Sequence, residues 1–211
     1  MKLNVDYTLY LCTDRSLMSA KTIEESVEYA IQGGCTIVQL REKEADSKEF
    51  FELAVRVKEV TNHYHIPLII NDRIDIALAI NAAGAHVGQS DIPAKEVRRI
   101  IGNEKIMGVS TATVAEAKKA VLDGADYIGV GAMYTTSTKK NTRAVTMEEL
   151  IRIRQAVAIP IVVIGGINAN TINNFQGIGI NGAAVVSAIV AQNNMKEAAE
   201  ELKNMLKLLL K

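Results

Sequence analysis

IVVIGGINANTINNFQGIGINGAAVVS, residues 161–187, contains two short apolar runs, Ile161–Ile164 and Ala183–Val186, each followed at once by small residues. Continuous rather than alternating apolar runs indicate strands buried on both faces, as in a parallel sheet. Gly165-Gly166-Ile167 follows the first run, and Ser187 follows the second at a helix start. In a closed barrel the loops after the last two strands commonly bind phosphate: glycine lets backbone N–H groups approach it, and a helix N-terminus faces it. The same stretch holds Gly177-Ile-Gly-Ile-Asn-Gly182, a match to G-x-G-x-x-G. That match precedes a strand and opens no helix, so its dinucleotide-binding reading fails on context.

Outward from this stretch the same rhythm recurs. Further runs lie at Tyr7–Cys12, Ile37–Leu40, Ile66–Ile70, Ala85–Val87, Ile106–Val109 and Tyr127–Val130, which makes eight. Amphipathic segments separate them, among them Thr22–Gln32, Lys48–Asn62, Val114–Asp123 and Thr146–Ala156, and Met195–Lys211 reads as a closing helix. Thr22-Ile-Glu-Glu25 has the pattern of a capping box, Ser47 and Thr113 precede helices, and Gly33-Gly34 and Gly124 follow them. Alternating strands and helices imply right-handed βαβ units. Eight of them predict an α/β fold, a single (β/α)8 TIM barrel spanning residues 1–211 as one domain, with an open doubly wound sheet as the rival.

Composition agrees with a soluble protein: 48% hydrophobic, 23% charged, no Trp, and 24 basic against 24 acidic residues. With no net charge there is no global field to steer nucleic acid or a membrane surface, so neither is an expected partner. The two cysteines, Cys12 and Cys35, form no C-x-x-C pair, and a reducing cytoplasm fits them. Asp6 interrupts the short apolar run at the start, which does not read as a signal peptide, and no apolar stretch is long enough to span a membrane. The last helix is expected to serve the core or a homo-oligomer face.

In this fold chemistry sits at the carboxyl ends of the strands. After the second run comes Gln39-Leu40-Arg41-Glu42-Lys43; Arg41 and Lys43 are two apart and point the same way in an extended segment, which suits a phosphate or diphosphate. After the third and fourth runs come Asn71-Asp72 and Gly88-Gln-Ser-Asp91. Two carboxylates on adjacent strand ends can share Mg²⁺, which uses one or two carboxylates together with water and substrate phosphate oxygens. Ser110 follows the fifth run as a rim donor. The long stretch Gly131 to Val145 holds Thr136-Ser137-Thr138-Lys139, a polar loop suited to phosphate and to acting as a lid. His63, His65 and His86 do not form a metal set, and Cys12 reads as core.

These motifs, Q-L-R-E-K, N-D, G-Q-S-D, T-S-T-K, I-G-G-I and V-V-S in this order, resemble those of the thiamine-phosphate synthase family from Tyr10 to Ile189. The resemblance implies a transferase that couples 4-amino-2-methyl-5-(diphosphooxymethyl)pyrimidine with 4-methyl-5-(2-phosphooxyethyl)thiazole. Gln39, Leu40, Arg41, Glu42, Lys43, Asn71, Ser110 and Lys139 would hold the pyrimidine diphosphate, with Arg41, Lys43, Ser110 and Lys139 catalytic. Asp72 and Asp91 would hold Mg²⁺. Thr136, Ser137, Thr138, Gly166, Val186 and Ser187 would surround the thiazole phosphate. Ala132 and Thr135 stand where the family often has proline, which is expected to loosen a loop already expected to be mobile without ligand. Ala112 stands where the family often has a histidine.

No nucleophile–base pair stands out in the sequence. The reaction implied needs none: the electron-rich aminopyrimidine supports positive charge once diphosphate leaves, and the thiazole nitrogen attacks. The rivals are a thiazole tautomerase, a phosphosugar isomerase or epimerase, and a non-catalytic phosphometabolite-binding barrel. Retention of Arg41, Lys43, Asp72, Asp91 and Lys139 argues against the first, the lack of paired acid/base groups against the second, and the two Mg²⁺ carboxylates against the third.

Overall fold

The computed structural model describes residues 4–135 and 143–211. Eight parallel strands close into one barrel in chain order. They are β1 (Leu9–Cys12), β2 (Ile37–Leu40), β3 (Leu68–Asn71), β4 (Gly84–Val87), β5 (Ile106–Thr111), β6 (Tyr127–Val130), β7 (Ile161–Ile164) and β8 (Gly182–Val185). Closure is made by β1 against β8, where Leu9 pairs with Ala183 and Leu11 with Val185. The helices around it are α1 (Ile23–Gln32), α2 (Ser47–His63), α3 (Ile74–Ala79), α4 (Ala94–Ile101), α5 (Val114–Leu122), α6 (Met147–Ala156), the short α7 (Ser187–Val190) and α8 (Met195–Leu209), with a 3₁₀ turn at Ile172–Phe175. The open-sheet rival is thereby excluded. Gly177–Gly182 runs from just past the 3₁₀ turn into the first residue of β8, where no dinucleotide helix begins.

Strand residues alternate between two cores. Leu9, Leu11, Val38, Leu40, Ile70, Val130 and Val163 face the helices. Tyr10, Cys12, Ile37, Ile69, Ile106, Tyr127, Val162 and Ala184 face the barrel interior. This is why the runs read as continuously apolar: period-2 alternation puts each strand residue into one dry layer or the other. Among the described residues, no helix is long and apolar enough to cross a membrane.

Local chemistry fixes the ends. Thr22, Thr113 and Thr146 each accept a hydrogen bond from the backbone N–H three residues on. The boxes at α1 and α5 are displaced by one residue: Glu25 reaches back to the N–H of Lys21, and Glu116 to that of Ala112, rather than to the caps themselves. Asp46, not Ser47, caps α2, accepting from the N–H of Glu49 at 2.9 Å. A carboxylate there also meets the positive end of the helix dipole. β3 starts at Leu68 rather than Ile66, because the N–H of Ile66 closes the end of α2 on the Thr61 carbonyl. β5 runs on to Thr111, so Ser110 is a strand residue rather than a loop residue.

Candidate active site

At the carboxyl ends of the strands a cavity of about 400 Å³ opens into the barrel mouth. Its size suits a small-molecule site. Of the residues singled out in the sequence, Gln39, Arg41, Asn71, Ser110, Gly166, Val186 and Ser187 line it. Gln39 and Asn71 are buried at the ends of β2 and β3. The Arg41 side chain lies 3.7 Å from Asp14, and its backbone N–H donates to the Thr13 hydroxyl at 3.0 Å, pinning the strand end.

Opposite stands a glycine-built wall. Gly165 and Gly166 have φ of 97° and 66°, and a Cβ on Gly166 would lie 2.7 Å from the Tyr134 Cβ. Both facts require glycine and bring the backbone to the cavity edge. Ser187 opens α7 just past the end of β8, the strand paired with β7. A short extra helix beside the loop after the seventh strand is the usual phosphate-binding device of this fold.

Other singled-out residues stand off the cavity. Leu40 is fully buried among the helices. Glu42 is turned to Arg15 at 3.3 Å, and burial pushes its carboxyl above the usual range. Lys43 is ion-paired with Asp72 on the rim. Asp72 sits in the left-handed region at φ 60°, a conformation Asp tolerates better than most residues. Its N–H donates to the His86 carbonyl at 2.9 Å, which ties the end of β3 to β4. Asp91 Oδ2 accepts the Gly88 N–H at 2.7 Å. The described residues hold no group of three or more His, Cys, Asp or Glu placed to bind a metal. Asp72 and Asp91 follow β3 and β4, and carboxylate oxygens are the donor type that a hard cation completed by water and substrate oxygens takes.

Thr136, Ser137, Thr138 and Lys139 lie outside the described residues. The stem they spring from is well tied. The N–H of Ala132 donates to the Arg143 carbonyl, that of Val145 to the Ala132 carbonyl, and that of Tyr134 to the Gly165 carbonyl. Proline at 132 could not make the first of these bonds. The loosening expected of the loop itself falls on residues outside those described. At Ala112 the backbone N–H donates to Glu116, a bond that any residue but proline could make.

The cavity floor is made by residues the sequence did not disclose as functional: Tyr10, Cys12, His86 and Tyr127. His86 is neither a surface residue nor mere packing. Its Nε2 lies 2.8 Å from Ser110 Oγ and its Nδ1 2.9 Å from the Tyr127 hydroxyl. A serine–histidine contact therefore exists that the sequence concealed, though Nδ1 meets a phenol where hydrolytic triads place a carboxylate. Gly108 makes it possible, because a Cβ there would lie 2.2 Å from the Tyr127 ring. Cys12 is 3% exposed, and burial pushes its thiol up to about 12, in keeping with its reading as core.

An α/β barrel with basic and amide side chains and a glycine–serine wall lining its mouth has the features of a phosphate-handling (β/α)8 barrel enzyme. The sequence model of the family described as thiamine monophosphate synthase matches residues 9–189. The chain belongs to that family. It is 61% identical over 204 residues to a thiamine-phosphate synthase of Clostridium beijerinckii, covering 97% of this chain and 98% of that one. It is 59% identical to one from Clostridium botulinum, covering 96% and 95%. A solved thiamine phosphate pyrophosphorylase from Pyrococcus furiosus superposes with a TM-score of 0.89 at 34% identity, covering 98% of both chains.

Proposed function

We propose that the barrel joins 4-amino-2-methyl-5-(diphosphooxymethyl)pyrimidine to 4-methyl-5-(2-phosphooxyethyl)thiazole, giving thiamine phosphate and diphosphate. The observation that supports the reading is one cavity lined both by Arg41, Asn71 and Ser110 and by Gly165, Gly166 and Ser187, which would serve as two anion sectors. A substrate pair bearing a diphosphate and a phosphate needs two such sectors. A single phosphosugar needs one.

In the step proposed, the bond from the exocyclic pyrimidine carbon to the diphosphate oxygen breaks, and diphosphate leaves with the electron pair. The thiazole nitrogen then gives its lone pair to that carbon, and a thiazolium results. Arg41, Lys43 and Lys139 stabilise the departing charge; each close opposite charge gains roughly 4 kcal/mol at an effective dielectric near 20. Asp72 and Asp91 would hold Mg²⁺, which supplies further charge neutralisation of the diphosphate. Lys43 already sits on Asp72, so both can turn to the same diphosphate. Glu42 and Leu40, whose side chains face elsewhere, would contribute through their backbone. Thr136 to Thr138 would join Gly166, Val186 and Ser187 at the thiazole phosphate. The rings are held in line, which supplies the entropic part of the acceleration. Two buried free cysteines suit the cytoplasm as its compartment.

The test is incubation of the protein with both substrates and Mg²⁺, followed by oxidation to a fluorescent thiochrome. Fluorescence growing only when all three are present is expected. Isomerised thiazole phosphate without coupled product would transfer the assignment to a tautomerase.

A further inference from the structure

A continuous chain of buried hydrogen bonds runs beneath the cavity and surfaces in it at both ends. Gln39 Nε2 lies 3.0 Å from the Tyr10 hydroxyl, which lies 2.7 Å from that of Tyr127. The Tyr127 hydroxyl lies 2.9 Å from His86 Nδ1, and His86 Nε2 lies 2.8 Å from Ser110 Oγ. The chain crosses β2, β1, β6, β4 and β5 in turn.

Its members have few protons to share. Each phenol has one to give, and burial pushes Tyr10 and Tyr127 well above the usual phenol range, so both keep it. Gln39 Nε2 gives to the Tyr10 oxygen. Among the described residues Tyr10 can then give only to Tyr127. Tyr127 in turn gives to His86 Nδ1. A neutral imidazole in that position carries its own proton on Nε2 and gives it to Ser110 Oγ. The Ser110 proton is left to point into the cavity. Running the chain backwards would require the Gln39 amide to be turned over, and Ser110 would then present a lone pair. The oxyanions and ring nitrogens of the substrate proposed above are acceptors that the Ser110 proton can meet.

We propose that Tyr127 and His86 are positioning residues that fix the Ser110 hydroxyl as a hydrogen-bond donor to the substrate. The proposal rests on the coupling reaction given above for the identity of the acceptor, but not for the direction of the chain. Orientation by a partner behind a functional group is a recurrent device, and losing such a partner typically costs 10–100-fold.

Nitrogen-15 labelling of the histidines in the wild-type protein without ligands reads the direction outright, with His86 assigned by its absence in His86→Gln. A bare Nδ1 and a protonated Nε2 are expected; the opposite tautomer or an imidazolium overturns the proposal. Tyr127→Phe removes one oxygen at constant shape. It is expected to lower kcat about 10–100-fold with little change in KM. In a Ser110→Ala background the same change is expected to cost less than about twofold, because Tyr127 acts through Ser110. An equal cost in both backgrounds would mark a structural role and overturn the proposal. If Tyr127→Phe fails to fold, the wild-type tautomer still decides. Absence of thiamine phosphate from the wild-type assay would instead sink the coupling reaction, leaving the tautomer to be judged alone.

Discussion

Asp72 shows what one residue contributes. Its backbone is left-handed, its N–H holds the end of β4, and its carboxylate pairs with a half-exposed Lys43. Asn tolerates the same backbone, and an exposed ion pair is worth about 0–1 kcal/mol. Asp72→Asn should therefore melt close to the wild type while losing about 10–100-fold in activity and its response to added Mg²⁺. An unchanged Mg²⁺ titration would remove Asp72 from the metal site. Lys139→Ala should lower turnover by about 10²–10³ and leave the melting midpoint almost unmoved; near-normal turnover with both substrates saturating would deny Lys139 its role. Arg41, Asn71, Ser110, Gly166 and Ser187 were legible in the sequence because each is a polar residue or glycine at the end of an apolar run. His86, Tyr10 and Tyr127 were not. They sit inside such runs, and a strand buried on both faces carries no periodic mark of which side chains face the lumen.

At the scale of the element, strand and helix types were legible almost throughout, and boundaries were not. The reasons are local. Asp46 and Ser47 are adjacent N-cap candidates, and only the backbone shows that Asp46 is extended and accepts from Glu49. Asp46→Ala is thus expected to cost about 1 kcal/mol, and Ser47→Ala much less, by thermal unfolding. Equal effects would contradict the cap assignment. α3 escaped notice because six residues show too little of a helical period. Between β5 and β6 the fit is set by Gly108 against Tyr127 and His86. Gly108→Ala should destabilise by about 1–3 kcal/mol through overpacking, and activity should fall along with the displaced floor. Full activity at a normal melting point would show that the floor has slack the structure does not display.

Over the whole molecule, the closed barrel carries its cavity at the carboxyl ends of the strands. Anything that binds only the folded state stabilises it, by about 2.7 kcal/mol at a hundred times its Kd. Diphosphate with Mg²⁺ should therefore raise the unfolding midpoint, and Mg²⁺ alone should do so far less. Cys12 and Cys35, both buried, report the same event, since their alkylation should follow global unfolding and slow in step. The fold's order, eight apolar runs interleaved with amphipathic segments, was readable from the chain; that Arg41 and Gly166 line one cavity is seen only in the closed barrel. The most direct measurement is the stoichiometry of a complete reaction. With both substrates and Mg²⁺, thiamine phosphate and diphosphate should appear in equal amounts, each matching the pyrimidine diphosphate consumed. Diphosphate released without thiamine phosphate, or neither product formed, would contradict the account.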